Sequence, residues 1–255
     1  MSLLTLQYQS AAIVQGTTLK IFLPTDMITG RTTEPPFKTL YFLPGFSADS
    51  TSIMTYLSVR LQSEEHGVAV VIPDGFNSFY IDRTEIMANF GSFIQEIVET
   101  TRKLLPLSDK RSDTYIGGIS MGGWGSLYHG MKSSRLFSKV ISFSPAIDIL
   151  ELANHGVNGF TPAFFRAYFG TEEDYLAGAA NLKKAYLESK PEDRPELFLC
   201  CGKQDSLVYG QVADFHKYLA ECGYTHTYVE EDGDHEVFFW ERMMKPAFDF
   251  LNAGA

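Results

Sequence analysis

The sequence predicts an α/β fold built on a mostly parallel sheet, and three observations predict it. Short apolar runs alternate with longer segments of helical pattern through most of the chain. The runs YFL, VAVVI, KVISF and ELFLCC lack polar alternation, which is typical of strands covered by helices on both faces. The N-terminal segments LTLQYQSAAIV and TLKIFLP instead indicate antiparallel strands at one edge of the sheet.

Each element follows in order along the chain. The N-terminal strands are predicted to form a hairpin that turns at Gln15 and Gly16, and a polar loop with Thr29, Gly30 and two prolines follows. The later strands are predicted at TLYFLP, VAVVIP, TYIGGIS, KVISFSP, ELFLCCG and THTYVEE. Helices are predicted over about 53–62, 84–105, 121–132, 208–222 and 236–252. Because ligands bind beyond the carboxyl ends of parallel strands, catalytic residues are expected just after a strand.

Length and composition are those of an ordinary globular protein. The 255 residues are 45% hydrophobic and 20% charged, which favours a single domain over residues 1–255. A net charge of −10 argues against binding to nucleic acids or anionic membranes. No apolar run reaches the roughly 18 residues that span a bilayer, and the first residues lack a leader pattern. We therefore expect a cytoplasmic protein.

The strongest local signal is the G-x-S-x-G motif of residues 118–122, between a predicted strand and a predicted helix. Glycines on both sides allow a tight, strained turn that lifts the hydroxyl of Ser120 clear of the sheet. The following helix directs its free N-H groups and its positive dipole end towards the same place, which suits an oxyanion. The alternative interpretation is a small-residue turn in which the serine only caps a helix.

Two further residues complete a nucleophilic arrangement. A serine nucleophile needs a histidine base, which in turn needs an orienting carboxylate. Asp205 follows the predicted strand ELFLCC and His235 follows THTYVEE, so Ser120, Asp205 and His235 have the chain order found in α/β-hydrolases. Taken alone, the aspartate is also compatible with a helix cap, and the histidine with a polar loop residue near a helix start. The other histidines precede strands, lie in helices or fall outside this order: His66, His129, His155, His216 and His226.

An oxyanion hole needs a second N-H beside that of Met121. The loop YFLPGFSAD is the natural supplier, since Gly45 lets the backbone approach and Phe46 has a free N-H. Pro44 has no N-H and cannot serve. A simple Pro-Gly turn is the alternative.

The segments GGISMGGWG, CGKQDSLV and GDHEVFFWE resemble motifs of the esterase D group of α/β-hydrolases, most closely the small bacterial tributyrin esterases. The resemblance covers nearly the whole chain and implies an α/β-hydrolase fold and cleavage of short acyl esters. It implies catalytic roles for the residues already named: Ser120 as nucleophile, Asp205 as acid, His235 as base, and Phe46 and Met121 as oxyanion donors. Relatives usually have His-Gly where this chain has Pro44-Gly45. Because the donor is the next amide, we expect the hole to be retained.

The segment 145–191 is longer than a normal crossover and rich in aromatic residues. We expect a short helical cap that forms an acyl pocket with Trp124 and Trp240, while core packing of an ordinary helical excursion is the alternative. Tyr80 and Asp82 are candidates for the alcohol side of the site, with surface positions as the alternative.

These residues predict a serine carboxylesterase that hydrolyses short-chain acyl esters through an acyl-enzyme. The same machinery fits an S-formylglutathione hydrolase-like thioesterase, a carbohydrate acetyl or feruloyl esterase, or acyl transfer to a sugar. In a different class, it fits a hydrolase-like binding module without catalysis. The sequence has no zinc, P-loop or dinucleotide motif, so no metal or cofactor is expected. The expected partner is a small-molecule ester. Homo-oligomers are common among such enzymes, and the sequence leaves the oligomeric state open.

Overall fold

A computed structural model of the protein describes residues 2–25, 33–156 and 159–253. The loop positions Thr29 and Gly30 lie outside the described residues. The strands are β1 (Ser2–Ser10), β2 (Gln15–Leu23), β3 (Lys38–Leu43), β4 (Val68–Pro73), β5 (Asp82–Arg83), β6 (Ala88–Asn89), β7 (Thr114–Ile119), β8 (Lys139–Phe143), β9 (Glu196–Gly202) and β10 (Thr227–Glu231). The α-helices are α1 (Ser50–Tyr56), α2 (Val59–His66), α3 (Phe90–Leu104), α4 (Met121–Lys132), α5 (Ile149–His155), α6 (Pro162–Phe169), α7 (Glu172–Ala177), α8 (Leu182–Leu187), α9 (Tyr209–Glu221) and α10 (Val237–Asn252).

Within the described residues, the central sheet has eight strands in the order β1-β2-β4-β3-β7-β8-β9-β10. Strands β1 and β2 pair antiparallel, as do β2 and β4, whereas every other neighbouring pair is parallel. The predicted α/β fold, with a mostly parallel sheet and antiparallel N-terminal strands, is confirmed. The short strands β5 and β6 form a separate antiparallel pair.

Helices cover both faces of the sheet, and strand side chains contribute to a hydrophobic core on each face. All six residues of β4 are buried. In β3, Leu40 and Phe42 join the hydrophobic cluster on the α1 and α10 side. Tyr41 and Leu43 join the cluster on the α3, α4 and α9 side. This alternation follows from the two-residue period of a strand, and it explains why these strands are apolar throughout.

The turn of the N-terminal hairpin begins four residues earlier than predicted and covers residues 11–14, and Gly16 lies within β2 opposite Gln9. The N-H groups of Ala11 and Ala12 donate to a carboxylate oxygen of Glu96 in α3, at 3.0 and 2.8 Å. A contact across more than 80 residues stabilises the turn, and no local pattern contains that information.

Two predicted helices are also interrupted. The segment 53–62 contains the end of α1 and the start of α2, and the N-H of Ser58 before α2 donates to Glu241 of α10 at 2.6 Å. The segment 84–105 begins with a short 3₁₀ turn and β6 before α3 starts. Asp82 accepts a hydrogen bond from the N-H of Ser92 at 2.7 Å, which fixes the start of α3.

Residues 145–191 contain the four short helices α5 to α8, with 157 and 158 outside the described residues. Aromatic residues of this cap pack onto the loop that carries Phe79. The Phe79 ring lies with its centroid 5.5 to 6.4 Å from six other rings: Phe46, Trp124, Phe160, Phe164, Tyr168 and Phe169. Within the described ranges, no helix combines the length and apolar character needed to cross a membrane.

Candidate active site

Ser120 lies on a sharp turn between β7 and α4. Its φ of 56° and ψ of −112° place it in a region that non-glycine residues rarely adopt. A Cβ atom on Gly118 would lie 2.6 Å from the carbonyl oxygen of Leu43, and one on Gly122 would overlap the same oxygen. The two glycines of the motif are therefore required because the turn passes directly against β3.

Ser120, His235 and Asp205 form a hydrogen-bonded series. Ser120 Oγ lies 3.0 Å from His235 Nε2, and His235 Nδ1 lies 2.7 Å from Asp205 Oδ2. Because a carboxylate oxygen accepts, Nδ1 carries the hydrogen and Nε2 is free to accept the serine O-H. The Asp205 side chain is fully buried, and that of His235 is 19% exposed. The structure thus brings together the three side chains that the sequence predicts to meet.

The Asp205 carboxylate is held by its own loop. Its Oδ1 accepts hydrogen bonds from the N-H groups of Leu207 and Val208, at 3.1 and 3.0 Å. The Cys201 Sγ lies 3.7 Å from Oδ2, and burial raises the pKa of this thiol, so the thiol donates. One carboxylate oxygen thus accepts from the loop before α9 and the other faces His235, while the residue that caps α9 is Val208 and not this aspartate.

The loop with His235 is joined to the loop with Asp205. The N-H of Gly233 donates to Gln204 Oε1 at 2.6 Å, and the N-H of Gln204 donates to the Gly233 carbonyl at 2.9 Å. The His235 ring also meets Trp240 edge to face, with centroids 5.1 Å apart. The hydrogen bonds hold the loop that carries His235, and the tryptophan packs against its ring.

Two main-chain N-H groups next to Ser120 are available to an oxyanion. Met121 is the first residue of α4, and Phe46 lies in the loop after β3. Neither N-H donates to another described residue. A Cβ on Gly45 would lie 3.2 Å from the carbonyl oxygen of Ile119, so this loop packs against the serine turn. The Pro44-Gly45 pair is compatible with the predicted geometry.

Two cavities, each of about 280 Å³, meet at Ser120 and His235 and share Phe46 and Ser47. The helix-side cavity lies between α1 and α10 and is also lined by Gly45, Ala48, Ser52, Ile53, Tyr56, Leu57, Ile119, Val237 and Trp240. The cap-side cavity is also lined by Phe79, Met121, Ala146, Leu152, Phe160 and Leu207. Among the described residues, no lysine, arginine, aspartate or glutamate lines either cavity.

The predicted substrate-contact residues fall in different places. Trp240 lines the helix-side cavity. Trp124 and Tyr80 are fully buried and line neither cavity, so the structure does not place them in contact with a substrate. Asp82 caps α3 instead of lining the site. Phe79, and not Trp124, lines the cap-side cavity, and its ring packs edge to face against both Trp124 and Phe160.

Several cavity residues were missed in the sequence. Phe79 lines the cap-side cavity, and Ser52 and Tyr56 line the helix-side cavity. Phe160 of the cap-side cavity lies in the segment 145–191, for which the sequence predicts an acyl pocket without singling out this residue. Their position in the chain is the one sequence feature that points to the site, since Phe79 lies in the loop after β4 and α1 follows the loop that carries Phe46. Their side-chain directions depend on backbone geometry, such as the φ of 50° at Phe79, which the sequence pattern does not contain.

A family model named Esterase, described as "Putative esterase", matches residues 10–251 of the chain. The chain belongs to this esterase family. It is similar to an acetyl esterase of Caldicellulosiruptor saccharolyticus, with 29% identity over 99% of this chain and 98% of the relative.

Solved structures agree with this assignment. The esterase superposes on the fluorophosphonate-binding serine hydrolase FphF of Staphylococcus aureus with a TM-score of 0.87 and 29% identity, over 98% of both chains. It superposes on an S-formylglutathione hydrolase (FrmB) of the same organism with a TM-score of 0.85 and 28% identity, again over 98% of both chains. The esterase has the α/β-hydrolase fold and is a serine esterase, a carboxylic ester hydrolase.

Proposed function

We propose that this esterase hydrolyses short-chain acyl esters with Ser120 as nucleophile, His235 as general base and Asp205 as the orienting carboxylate. The observation that carries the proposal is the pair of contacts at 3.0 and 2.7 Å that joins the three side chains. The strained backbone of Ser120 supports it, because such strain is typical of functional positions.

The geometry suits acyl transfer in two steps, acylation of Ser120 and hydrolysis of the acyl-enzyme. Ser120 Oγ attacks the ester carbonyl carbon while His235 Nε2 accepts the serine proton, and Asp205 stabilises the imidazolium that forms. The oxyanion accepts hydrogen bonds from the N-H groups of Phe46 and Met121. The bond to the alcohol oxygen then breaks, and the histidine returns the proton to the leaving alcohol. Water attacks the acyl-enzyme with the same base and releases the acid.

The two cavities divide the substrate between them. Because they meet at Ser120, one receives the acyl group and the other the alcohol. Their modest size and apolar lining favour short, uncharged groups on both sides. This agrees with the subgroup that we propose for this esterase, the tributyrin esterases of the esterase D group. We also propose a single domain over residues 1–255, supported by the one sheet that unites the main strands.

An S-formylglutathione hydrolase is the second candidate, favoured by the 28% identity with the staphylococcal enzyme. Glutathione carries two carboxylates, however, and its recognition favours cationic side chains. The described lining of both cavities holds no lysine or arginine. The charge pattern therefore favours neutral oxygen esters.

Ser120→Ala tests the catalytic assignment. We expect turnover of nitrophenyl acetate and butyrate to fall by about six orders of magnitude, since triad residues act as a unit. A fluorophosphonate probe should label the wild-type protein at Ser120 and leave the variant unlabelled. The control is Ser126→Ala, because Ser126 lies in the same helix and its hydroxyl only donates to the Gly123 carbonyl. A Ser120→Ala variant with a tenth of wild-type activity contradicts the proposal.

A comparison of leaving groups tests the substrate class. We expect kcat/KM to be higher for short esters of neutral alcohols than for S-formylglutathione. The reverse order would favour the thioesterase candidate while leaving the triad assignment intact.

A further inference from the structure

Tyr80 lies beneath the loop that carries Phe46. Its side chain is fully buried, and its hydroxyl donates a hydrogen bond to the Pro44 carbonyl at 2.8 Å. Burial raises the pKa of Tyr80 well above its usual value, so the hydroxyl stays protonated and remains a donor. The residue contacts the oxyanion loop without reaching either cavity.

The Tyr80 ring occupies a slot made by two glycines. A Cβ on Gly125 would lie 2.6 Å from Tyr80 Cδ2, and a Cβ on Gly75 would overlap the phenol. The backbone of Tyr80 itself has a φ of 54°, an unfavourable value for an aromatic residue. A strained backbone and two close glycines around one ring indicate that its position matters to the site.

Helix α4 holds Tyr80 from the other side. His129 Nε2 lies 2.7 Å from the Tyr80 carbonyl oxygen. A carbonyl only accepts, so Nε2 carries the hydrogen. Burial lowers the pKa of His129 to about 4, so the ring is neutral at pH 7. Two hydrogen bonds, one at the carbonyl of Tyr80 and one at its hydroxyl, thus form a series of contacts from α4 through His129 and Tyr80 to Pro44.

The geometry points to Tyr80 as a positioning residue that holds the Phe46 N-H in register with the Met121 N-H. Helix α4 begins with Met121 and contains His129, so one rigid element sets both oxyanion donors. Gly45 separates Pro44 from Phe46 and permits rotation of the intervening peptides. The bond from Tyr80 to the Pro44 carbonyl limits that rotation. This inference rests on the proposed function, in which Phe46 supplies an oxyanion donor.

Tyr80→Phe is the direct test, because it removes the hydroxyl and keeps the ring in its slot. The oxyanion exists only in the transition state and intermediates, so the loss should appear in kcat and not in KM. Removing a whole oxyanion donor lowers kcat by about 10²–10³, and a misplaced donor should cost less. We expect kcat for nitrophenyl butyrate to fall by roughly ten- to a hundredfold with KM within about twofold. Affinity for a trifluoromethyl ketone, whose adduct carries an oxyanion, should fall by the same factor as kcat/KM.

Tyr224→Phe is the matched control. The Tyr224 hydroxyl is also buried and also donates to a proline carbonyl, that of Pro195, at 2.6 Å. Pro195 precedes β9, at the end of the strand opposite Asp205. The same chemical change at this position should leave kcat and ketone affinity within about twofold of wild type.

His129→Phe is the second variant and acts on the other end of the series. It should lower kcat, as Tyr80→Phe should. If Tyr80→Phe does not fold, this variant tests whether Tyr80 positions the Phe46 N-H. The inference is overturned if folded Tyr80→Phe, or folded His129→Phe where Tyr80→Phe does not fold, keeps a kcat within twofold of wild type. It is also overturned if Tyr224→Phe loses as much kcat as Tyr80→Phe. An active Ser120→Ala protein would instead overturn the proposed function, so the two failures are distinguishable.

Discussion

Asp205 Oδ2 and His235 Nδ1 lie 2.7 Å apart although the two residues are 30 positions apart in the chain. The contact follows from strand pairing. Strands β9 and β10 are parallel neighbours with Gly202 opposite Glu231, and both functional residues follow these ends within four positions. The paired ends bring the two loops together, and the short distance orients the imidazole towards Ser120.

Asp205→Asn tests the orienting role of this carboxylate. An asparagine amide can donate to Nδ1, which favours the imidazole tautomer that cannot accept the serine proton. We expect kcat to fall by about 10⁴, by analogy with the same change in serine proteases. Steady-state kinetics on nitrophenyl butyrate and the rate of fluorophosphonate labelling measure the effect, and both should fall together.

Asp174→Asn is the control for the charge change. Asp174 caps α7 by accepting from Thr171, and asparagine can accept there as well. Its kcat should match wild type. If Asp205→Asn kept more than a tenth of wild-type kcat, another group would have to orient His235.

The close packing of the serine turn gives a second prediction. In Gly122→Ala the new methyl group would overlap the Leu43 carbonyl, so β3 or the turn must shift. We expect the free energy of unfolding to fall by about 1–3 kcal/mol, with a large loss of kcat. Urea denaturation and kinetics on the same preparation measure both quantities.

Gly210→Ala is the matched control for the glycine change. Gly210 lies in α9, and nothing lies within 4 Å of the position that its Cβ would take. Alanine favours helix, so the free energy of unfolding should rise by up to about 1 kcal/mol. Equal destabilisation by both substitutions would rule out the steric explanation for Gly122.

The three triad candidates could be predicted from the sequence because each depends on a local pattern. Ser120, Asp205 and His235 each follow a strand, and a parallel sheet collects such positions at one edge. The cavity lining could not be predicted this way. Which of Phe79 and Trp124 lines the cavity depends on the positive φ angles at Phe79 and Tyr80. Aromatic residues adopt such angles only where the surrounding structure imposes them, and a local pattern does not show this.

The two cavities allow a matched pair of substitutions. Ala48 lines the helix-side cavity and Ala146 lines the cap-side cavity. Ala48→Leu and Ala146→Leu each add a similar volume on one side of Ser120. If one cavity binds the acyl group and the other the alcohol, one variant should lose kcat/KM for longer acyl chains, and the other for bulkier alcohols. Two ester series, one varying the acyl chain and one the alcohol, measure this. Identical profiles for both variants would contradict the division.

His129 gives a prediction for stability against pH. Burial lowers its pKa from 6.5 to about 4 in the folded protein. Between these values the unfolded chain binds a proton at this histidine and the folded protein does not, so lowering the pH favours unfolding. The stabilisation is complete above about pH 6.5 and decreases towards pH 4, by up to about 3 kcal/mol.

His129→Gln isolates this contribution, because glutamine does not titrate and still offers an N-H to the Tyr80 carbonyl. Urea denaturation of both proteins between about pH 7 and pH 4.5 gives two curves of unfolding free energy, and other titrating groups contribute equally to each. The wild-type curve should fall more steeply with decreasing pH. Parallel curves would mean that His129 is protonated as easily in the folded protein as in the unfolded chain, which would contradict the lowering of its pKa by burial.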